Sequence, residues 1–419
     1  MAHYLFFKPL DVLFFRGNES FGGTGEHGES LMPPWPSVFS GALRSAILAG
    51  DPKVQLSLVS EKTDQLPSVR LQKVIGTPRN PGSFRVTFVA LGTESGELFL
   101  PAPADLVVWG SSREGIKAVK RLTPIPREEL APALEGKMPF CSYDAFLSHI
   151  PVLSARRDLG KPSSGWWLTR EGMETYLNGD VPEPRHFVHA THLWKTEMRL
   201  GIARSRESFT VDKGRLYTTT AVALAPGPPR WGKATEASWF GAVGFVVGVE
   251  GVDEDLFPER FVVRLGGDGH GCEVTPWRGE PLQARELDER FVAVCVTPCM
   301  SPQGWLPPGL SRQNGAYVTA SGAFLAAAVV GRPQVVSGWD LAAHAPKPAQ
   351  AAIPAGSVFY FQGKPEKDLF AEGLKAWLQG AKDQVKPEAY VWRQRLAEGF
   401  NNVLMGSWPK GNPPSSGVS

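Results

Sequence analysis

Short apolar runs separated by turn-forming residues dominate the pattern of this chain. Tyr4–Phe7, Phe84–Val89 and Val292–Val296 have the length and the aromatic and β-branched content that are typical of strands. Helical spacing is clearest from Val38 to Ile47, where apolar residues recur on one face. The 45 glycines and 37 prolines lie between such runs and indicate many turns and long loops. The pattern therefore predicts an α+β fold, in which antiparallel sheets carry helices on one face.

The 419 residues are enough for more than one hydrophobic core. Ala225–Pro229 is the predicted linker between a first domain, residues 1–224, and a second domain, residues 230–410. Residues 110–185 are irregular and Pro-rich, which predicts an insertion in the first domain. Residues 411–419 contain few apolar side chains, and we expect them to be disordered.

A basic segment follows the predicted insertion. Two strand-like runs, Arg199–Arg204 and Val211–Tyr217, flank a polar connection, which predicts a long β-hairpin over residues 186–222. From Arg185 to Leu216 there are seven Lys or Arg residues against three Asp or Glu, although the net charge of the chain is only +2. This local excess of positive charge indicates contact with a polyanion, and nucleic acid fits best. The side chains predicted to bind RNA here are Arg199, Arg204, Lys213 and Arg215.

A second candidate site is the entrance of the helix that begins after Pro33–Pro36. Ser37 is the predicted N-cap, and Ser40 and Arg44 share a face of the helix. Free N–H groups at a helix start attract phosphate, Gly41 would allow close approach, and Arg44 could clamp a phosphate with two donors. The predicted RNA-binding residues outside the hairpin are Arg16, Ser37, Ser40, Gly41, Arg44, Asn401 and Asn402.

Several other functions are not supported by the sequence. No run has the length and hydropathy of a membrane span, and the start of the chain lacks the pattern of a secretory signal. The four cysteines are too few and too irregular for a disulfide framework, which favours a reducing cytoplasm. Gly23–Ser30 resembles a phosphate-binding loop, but Glu29 replaces the required lysine. We therefore predict no cofactor.

Metal and catalytic sites are not predicted either. On a strand, His186 and His192 would share a face and His189 would point the other way, which argues against a metal site. His3, His27 and His270 are candidates for a general base, but no partner acid and charge stabiliser lie near them in the sequence.

Five segments in order along the chain resemble the family of third subunits of the Cmr complex, the type III-B CRISPR RNA-guided effector, within the RAMP superfamily. They are Pro9–Arg16, Pro36–Arg44, Gly201–Tyr217, Ser337–Asp340 with Pro354–Val358, and Gly399–Trp408. Residues 50–185 contribute nothing to the resemblance.

The resemblance implies two ferredoxin-like, RRM-related domains with Gly-rich loops, large insertions and a protruding hairpin. It also implies a role, which is to grip the 5′ repeat-derived handle of the guide RNA. The implied neighbours are the large polymerase/cyclase-type subunit and the backbone RAMP subunits, and catalysis belongs to other subunits. Because Phe6, Phe14, Phe88 and Phe99 lie in apolar runs, we expect them in the core, so that loops and the hairpin bind RNA instead of a sheet face.

Two other functions remain open at this point. The chain could be a RAMP-type, metal-independent endoribonuclease that cuts repeat RNA, with His3 or His27 as base. It could also be a purely architectural subunit that binds only protein partners.

Overall fold

The computed structural model describes most of the chain. The described residues are 3–17, 27–28, 30–51, 68–77, 80–130, 144, 146–153, 159–205, 207–208, 210–224, 242–283, 285–340, 343–380 and 389–410. The predicted linker 225–229 and the predicted tail 411–419 lie outside these residues.

The fold is mixed α+β and rich in strands. In chain order, the strands are β1 (His3–Pro9), β2 (His27–Gly28), β3 (Arg85–Thr93), β4 (Leu98–Pro101), β5 (Leu106–Ser111), β6 (Gly115–Arg121), β7 (Thr123–Pro126), β8 (His149–Val152), β9 (Trp166–Thr169), β10 (Phe187–His189), β11 (Trp194–Arg204), β12 (Val211–Leu224), β13 (Val243–Glu250), β14 (Phe261–Arg264), β15 (Gly271–Pro276), β16 (Arg290–Cys295), β17 (Cys299–Met300), β18 (Ser311–Gln313), β19 (Ala316–Val318), β20 (Phe324–Val329), β21 (Gln334–Val336), β22 (Trp339–Asp340), β23 (Ala345–Pro346), β24 (Gln350–Ile353), β25 (Val358–Gln362) and β26 (Val403–Ser407). The α-helices are α1 (Pro36–Ala49), α2 (Val69–Ile75), α3 (Arg127–Leu130), α4 (Arg170–Leu177), α5 (Ala190–Leu193), α6 (Leu369–Gly380) and α7 (Ala389–Glu398).

Two antiparallel sheets form the centre of the molecule. The first has the strand order β10-β9-β4-β3-β13-β1-β15-β14, and the second has the order β18-β19-β20-β25-β16-β26. Smaller sheets lie beside them, including β17-β24-β21 and the group β11-β12-β2. The predicted antiparallel sheets are thus present, and most of the helical segments are short.

The first sheet is buried on both faces. Neighbouring residues of a strand point to opposite faces, so Phe7 packs into one core with Phe39 and Leu43 of α1, whereas Phe6 packs into another. Phe6, Phe14, Phe88 and Phe99 are all buried, as expected from their apolar runs. Burial on both sides explains why the central strands are continuous apolar runs instead of alternating ones.

The second sheet covers the face of the first sheet that carries Phe6. The shared core contains Val292 and Tyr360 of the second sheet together with Phe6 and Val246 of the first. The opposite face of the second sheet packs against Phe370 of α6. At α1 and α6 the layers therefore run helix, sheet, sheet, helix, whereas α4 contributes Met173, Tyr176 and Leu177 to the core that the two sheets share.

The boundary between the two sheets falls later in the chain than the predicted domain boundary. β13, β14 and β15 belong to the first sheet, where β13 pairs with β1 and with β3. The chain changes from the first sheet to the second between Pro276 and Arg290, not between residues 224 and 230. The apolar run of β13 gave no sign of which sheet it would join, because pairing partners are not encoded in hydropathy alone.

The segment predicted as an irregular insertion contains regular structure. β9 joins the first sheet, while β5 with β6 and β7 with β8 form separate antiparallel pairs. Asp105, which is fully buried, accepts bonds from Arg121 Nε (2.9 Å), Tyr176 Oη (2.8 Å) and Tyr360 Oη (2.6 Å). Because Tyr360 lies on β25, this cluster ties the insertion to the second sheet.

Candidate nucleic-acid interface

Two segments near the start of the chain pair with β12, which comes much later in the sequence. Leu13 exchanges two backbone hydrogen bonds with Val222 of β12, at 2.8 and 2.7 Å. β2 pairs with the same strand in parallel, with His27 opposite Thr218. The segment of residues 10–17, which we call the strap, also receives a bond from Gly267 N to Phe14 O at 2.7 Å. The backbone of β12 therefore holds both the strap and β2, and the strap in turn contacts the Gly-rich turn around Gly267.

β11 and β12 form the predicted hairpin, which we define as residues 194–224. Arg199 lies opposite Thr219, Gly201 opposite Tyr217, and the register shifts between Ile202 and Arg204. Residues 186–193, which were predicted to belong to it, instead form a 3-10 turn, β10 and the short helix α5. The local turn and helix at these positions were not visible in the strand-like sequence pattern.

The charged residues of the hairpin that the structure describes are exposed. The side chain of Arg199 is 46% exposed and lies 3.9 Å from Asp11 and 3.7 Å from Glu197. Lys195 is exposed and, four residues earlier on β11, projects to the same face as Arg199. The backbones of Arg204, Lys213 and Arg215 lie in the two strands, and their side chains are outside the described part.

The opposite face of β11 carries an exposed apolar row that the charge count did not reveal. Met198, Leu200 and Ile202 are 74%, 67% and 47% exposed. They alternate with Glu197, Arg199 and Gly201, so the period of two was present in the sequence. From Glu197 to Ile202, β11 therefore carries its charged residues on one face and exposed apolar residues on the other.

Arg16 lies at the end of the strap and is exposed. The backbone of Arg16 forms an isolated antiparallel β-bridge with Ser30, and Ser30 Oγ accepts a bond from Phe15 N at 3.3 Å. The guanidinium carbon of Arg16 lies 5.9 Å from the centre of the Phe14 ring. The structure thus brings the predicted residue Arg16 to the surface that also carries β2 and β12.

The entrance of α1 differs from the prediction. The N-cap is Trp35, whose side chain makes no capping bond, and Pro36 is the first helical residue. Ser37 is half-buried in the first turn instead of capping it. Gly41 is exposed, and a Cβ added there would meet no atom within 4 Å. We call residues 33–44 the helix entrance.

Ser40 and Arg44, which were predicted to bind RNA, use their polar groups for contacts inside the protein. Ser40 is fully buried, and Arg44 Nε bonds to its Oγ at 3.2 Å. The other guanidinium nitrogens of Arg44 donate to Ile75 O at 2.7 Å and to Phe84 O at 3.1 Å. Burial lowers the pKa of Arg44, and the charge of Glu398 partly offsets this effect. Arg44 joins α1 to the end of α2 and the start of β3.

Asn401 and Asn402 also serve the fold. Asn401 is 2% exposed; its Oδ1 accepts from Met300 N at 2.8 Å and its Nδ2 donates to Met300 O at 2.9 Å. It has a φ of 66°, a conformation that asparagine tolerates better than most residues. Asn402 Nδ2 donates to Gly399 O at 2.8 Å. The segment 399–402, called the closing loop, is therefore fixed by internal bonds, and these contacts give no support to the predicted RNA binding of Asn401 and Asn402.

The histidines form no metal centre in the ranges that the structure describes. His186 is 4% exposed and its Nε2 lies 3.6 Å from Glu171. The rings of His189 and His192 are 6.5 Å apart, because α5 replaces the strand that was expected to point them to opposite faces. His3 lies in β1, His27 in β2, and His270 before β15.

A cleft of about 170 Å³ opens between the two sheets beside the helix entrance. Its walls include Met32–Pro34, Trp166, Gln334 and the segment Val296–Pro298, which supports the closing loop. None of the helices in the described part is long and apolar enough to cross a membrane.

A model of one protein family, described as CRISPR-associated protein (Cas_Cmr3), matches residues 5–408. Similar solved structures include a chain of the Type III-B Cmr-beta bound to cognate target RNA and AMPPnP, state 1, by cryo-EM, which is 15% identical with a TM-score of 0.45. A second is a chain of the Type III-B Cmr-beta bound to cognate target RNA, 14% identical with a TM-score of 0.45. In both, the match covers 96% of each chain. No curated protein matches the chain. The family match spans nearly the whole chain, whereas the likeness to these two structures is too low for a conclusion.

Proposed function

The chain belongs to the Cas_Cmr3 family of CRISPR-associated proteins, and we propose that it is a non-catalytic, RNA-binding subunit of a type III-B effector complex. In this role it grips the 5′ repeat-derived handle of the guide RNA. The large polymerase/cyclase-type subunit and the backbone RAMP subunits are its proposed partners in the cytoplasm. Two ferredoxin-like domains remain the prediction from the family.

The observation that carries the proposal is the meeting of the strap, β2 and the hairpin. Arg16 and Arg199 are both exposed on these segments, although they are 183 positions apart in the chain. The paired backbone of β12 holds the strap through Leu13 and β2 through Thr218. Exposed guanidinium groups on a rigid framework can bind phosphates with two parallel donors.

The proposed RNA contacts are fewer than the sequence predicted. They comprise Arg16, Arg199, Lys195 and, on the same two strands, Arg204, Lys213 and Arg215. Ser37 and Gly41 remain candidates because the solvent side of α1 is open at Gly41. Ser40, Arg44 and Asn401 leave the proposed site, since their polar atoms hold the fold together.

Single-stranded RNA suits this surface better than a duplex. The sheet faces that an RRM would use for stacking are covered by the other sheet, so binding falls to the loops and the hairpin. The charged face of the hairpin would contact phosphates, and affinity should fall with salt at roughly −0.7 in log–log slope for each phosphate contact.

The main experiment is photocrosslinking of the reconstituted complex with 4-thiouridine placed in the 5′ handle, followed by peptide mapping. Crosslinks in residues 10–17 or 194–224 are expected, and Arg199→Glu should reduce guide RNA retention. Arg260→Glu is the matched control, because Arg260 is also exposed and also faces a carboxylate, Glu273 at 2.8 Å. Crosslinks confined to other subunits would refute the RNA-binding role.

An architectural subunit is the second candidate, favoured by the internal use of Arg44 and Asn401. It predicts that Arg199→Glu leaves guide RNA retention unchanged while assembly of the complex is preserved.

The absence of catalysis is tested separately, by incubating the protein with repeat RNA in EDTA. Site-specific cutting that His27→Ala abolishes would identify a nuclease instead.

A further inference from the structure

Two buried cysteines lie next to each other below the cleft. Cys295 ends β16 and Cys299 begins β17, and their Sγ atoms are 3.3 Å apart. Their side chains are 1% and 0% exposed. Three residues separate them, and those three residues form part of the cleft wall.

The segment between the two cysteines holds the closing loop in place. Val296 N donates to Asn402 O at 2.9 Å, and Pro298 O accepts from Asn401 N at 3.2 Å. Thr297 Oγ1 donates to Gly399 O at 2.9 Å. A covalent bond between the cysteines would therefore fix both ends of the segment on which the closing loop rests.

We propose that Cys295 and Cys299 are a thiol pair that closes to a disulfide when the protein meets a low-molecular-weight disulfide. A disulfide bond is about 2 Å long, so the two sulfurs need to approach by little more than about 1 Å. The bond would lock residues 296–298 in the position that lines the cleft and supports the closing loop. The proposal does not depend on RNA binding.

The exchange is balanced without any further reactant. One cysteine thiolate attacks the small disulfide, forms a mixed disulfide and releases one small thiolate, which takes up the proton. The second cysteine then attacks the protein sulfur of the mixed disulfide, and a second small thiol leaves with the second proton. The two protein thiols lose two hydrogen atoms in total, and the small disulfide is reduced to two thiols.

Burial should make this reaction slow. Burial raises the pKa of the Cys295 thiol, and the Cys299 thiol beside it raises that pKa further, so the attacking thiolate is scarce. The reagent reaches the pair when the segment opens locally. Cys272 is a suitable comparison because it is equally buried, but its Sγ lies near the carbonyl of Glu273, at 3.8 Å.

The test uses the purified full chain, incubated with oxidised glutathione, quenched with acid, denatured and alkylated with N-ethylmaleimide. The tryptic peptide Phe291–Arg312 contains both cysteines. In the reduced protein it should carry two maleimide groups, and after oxidation none, with a mass lower by two hydrogen atoms than that of the free peptide. Two maleimide groups, or glutathione adducts that never resolve, would overturn the proposal.

Two variants keep the result specific. Cys272→Ala should form the same internal disulfide, whereas Cys299→Ala should leave Cys295 alkylated or glutathionylated. Hydrogen exchange provides a readout on the wild-type chain that does not depend on the variants folding. The amides of Val296 and Asn402 should exchange more slowly after oxidation, and the exchange rate of the Leu200 amide in the hairpin should not change. If oxidation changed none of the three exchange rates, the proposed lock would be contradicted.

Discussion

The helix entrance and the hairpin carry similar polar side chains and use them in opposite ways. At the helix entrance, Arg44 is turned inward and donates to Ser40 and to two backbone carbonyls. On the hairpin, Arg199 is exposed beside two carboxylates. Removing the arginine should therefore reduce the stability of the fold in the first region and the binding of guide RNA in the second. Mutagenesis can thus distinguish the two roles.

The largest expected effect is that of Arg44→Ala. The substitution removes the Arg44 donor from Phe84 O and one of two donors from Ile75 O, which keeps its bond from Gly82 N at 3.1 Å. It also opens a space over the Phe84 ring, whose centre lies 5.0 Å from the guanidinium carbon. We expect a loss of roughly 2–4 kcal/mol in the free energy of unfolding. Urea denaturation measures it.

Arg199→Ala is the matched control for Arg44→Ala. As an exposed substitution it should change stability by less than about 0.5 kcal/mol. If Arg44→Ala were as stable as Arg199→Ala and lost RNA instead, the inward role of Arg44 would be wrong.

Asn401→Ala should have the second-largest effect. It removes both bonds to Met300 and places alanine at a φ of 66°, so we expect a loss of roughly 2–3 kcal/mol. Asn401→Gly loses the same bonds but tolerates the conformation, and should lose about 1 kcal/mol less. Thermal unfolding of the two variants distinguishes backbone strain from hydrogen bonding; equal losses would assign the whole effect to the bonds.

The difference between the two regions also shows what the sequence can predict. Apolar runs correctly indicated strands, the burial of Phe6 and Phe88, and the helix that contains Val38–Ile47. The local sequence does not show whether a charged residue on an amphipathic helix is exposed. The sequence around Arg44 would be the same if its side chain faced solvent or donated to a backbone carbonyl. That choice depends on β3 and α2, which reach Arg44 only after the chain has folded.

The sheet assignment of β13 was hidden for a related reason. Its apolar run predicts a buried strand, but the partners β1 and β3 lie more than a hundred residues earlier in the chain. Long-range pairing follows from packing complementarity and not from local pattern. The family resemblance, which the match over residues 5–408 confirms, is the basis of the proposed function, because local patterns alone left nucleic-acid binding and architecture open.

Acid should lower the stability of the fold through the buried carboxyl group of Glu398. Burial alone would raise the pKa of Glu398, but the charges of Lys347 and Arg395 outweigh it and hold this pKa below its usual range. A carboxyl group whose pKa is lower in the folded state stabilises the fold above its unfolded pKa, and this stabilisation is lost as the pH falls through the folded pKa. The free energy of unfolding of the wild type should therefore decrease as the pH falls through and below the range in which an ordinary glutamate titrates.

Glu398→Gln tests this assignment of the acid response. The variant should be less stable than wild type at neutral pH and should show a flatter loss of stability in acid. An unchanged slope would place the acid response in other carboxyl groups. The hairpin charges near Asp11 and Glu197 are exposed and should contribute little to that slope.

The smallest expected effect on stability is that of Gly41→Ala, and it tests the open side of the helix entrance. Alanine is the better helix former and its Cβ meets nothing within 4 Å, so the variant should gain up to about 1 kcal/mol. If RNA passes close to this turn, Gly41→Leu should weaken guide RNA retention while keeping stability, and Ser45→Leu, one turn further along the exposed side, should weaken it less. If all three variants retained guide RNA as well as the wild type does, α1 would not belong to the binding surface, which would then consist of the strap and the hairpin.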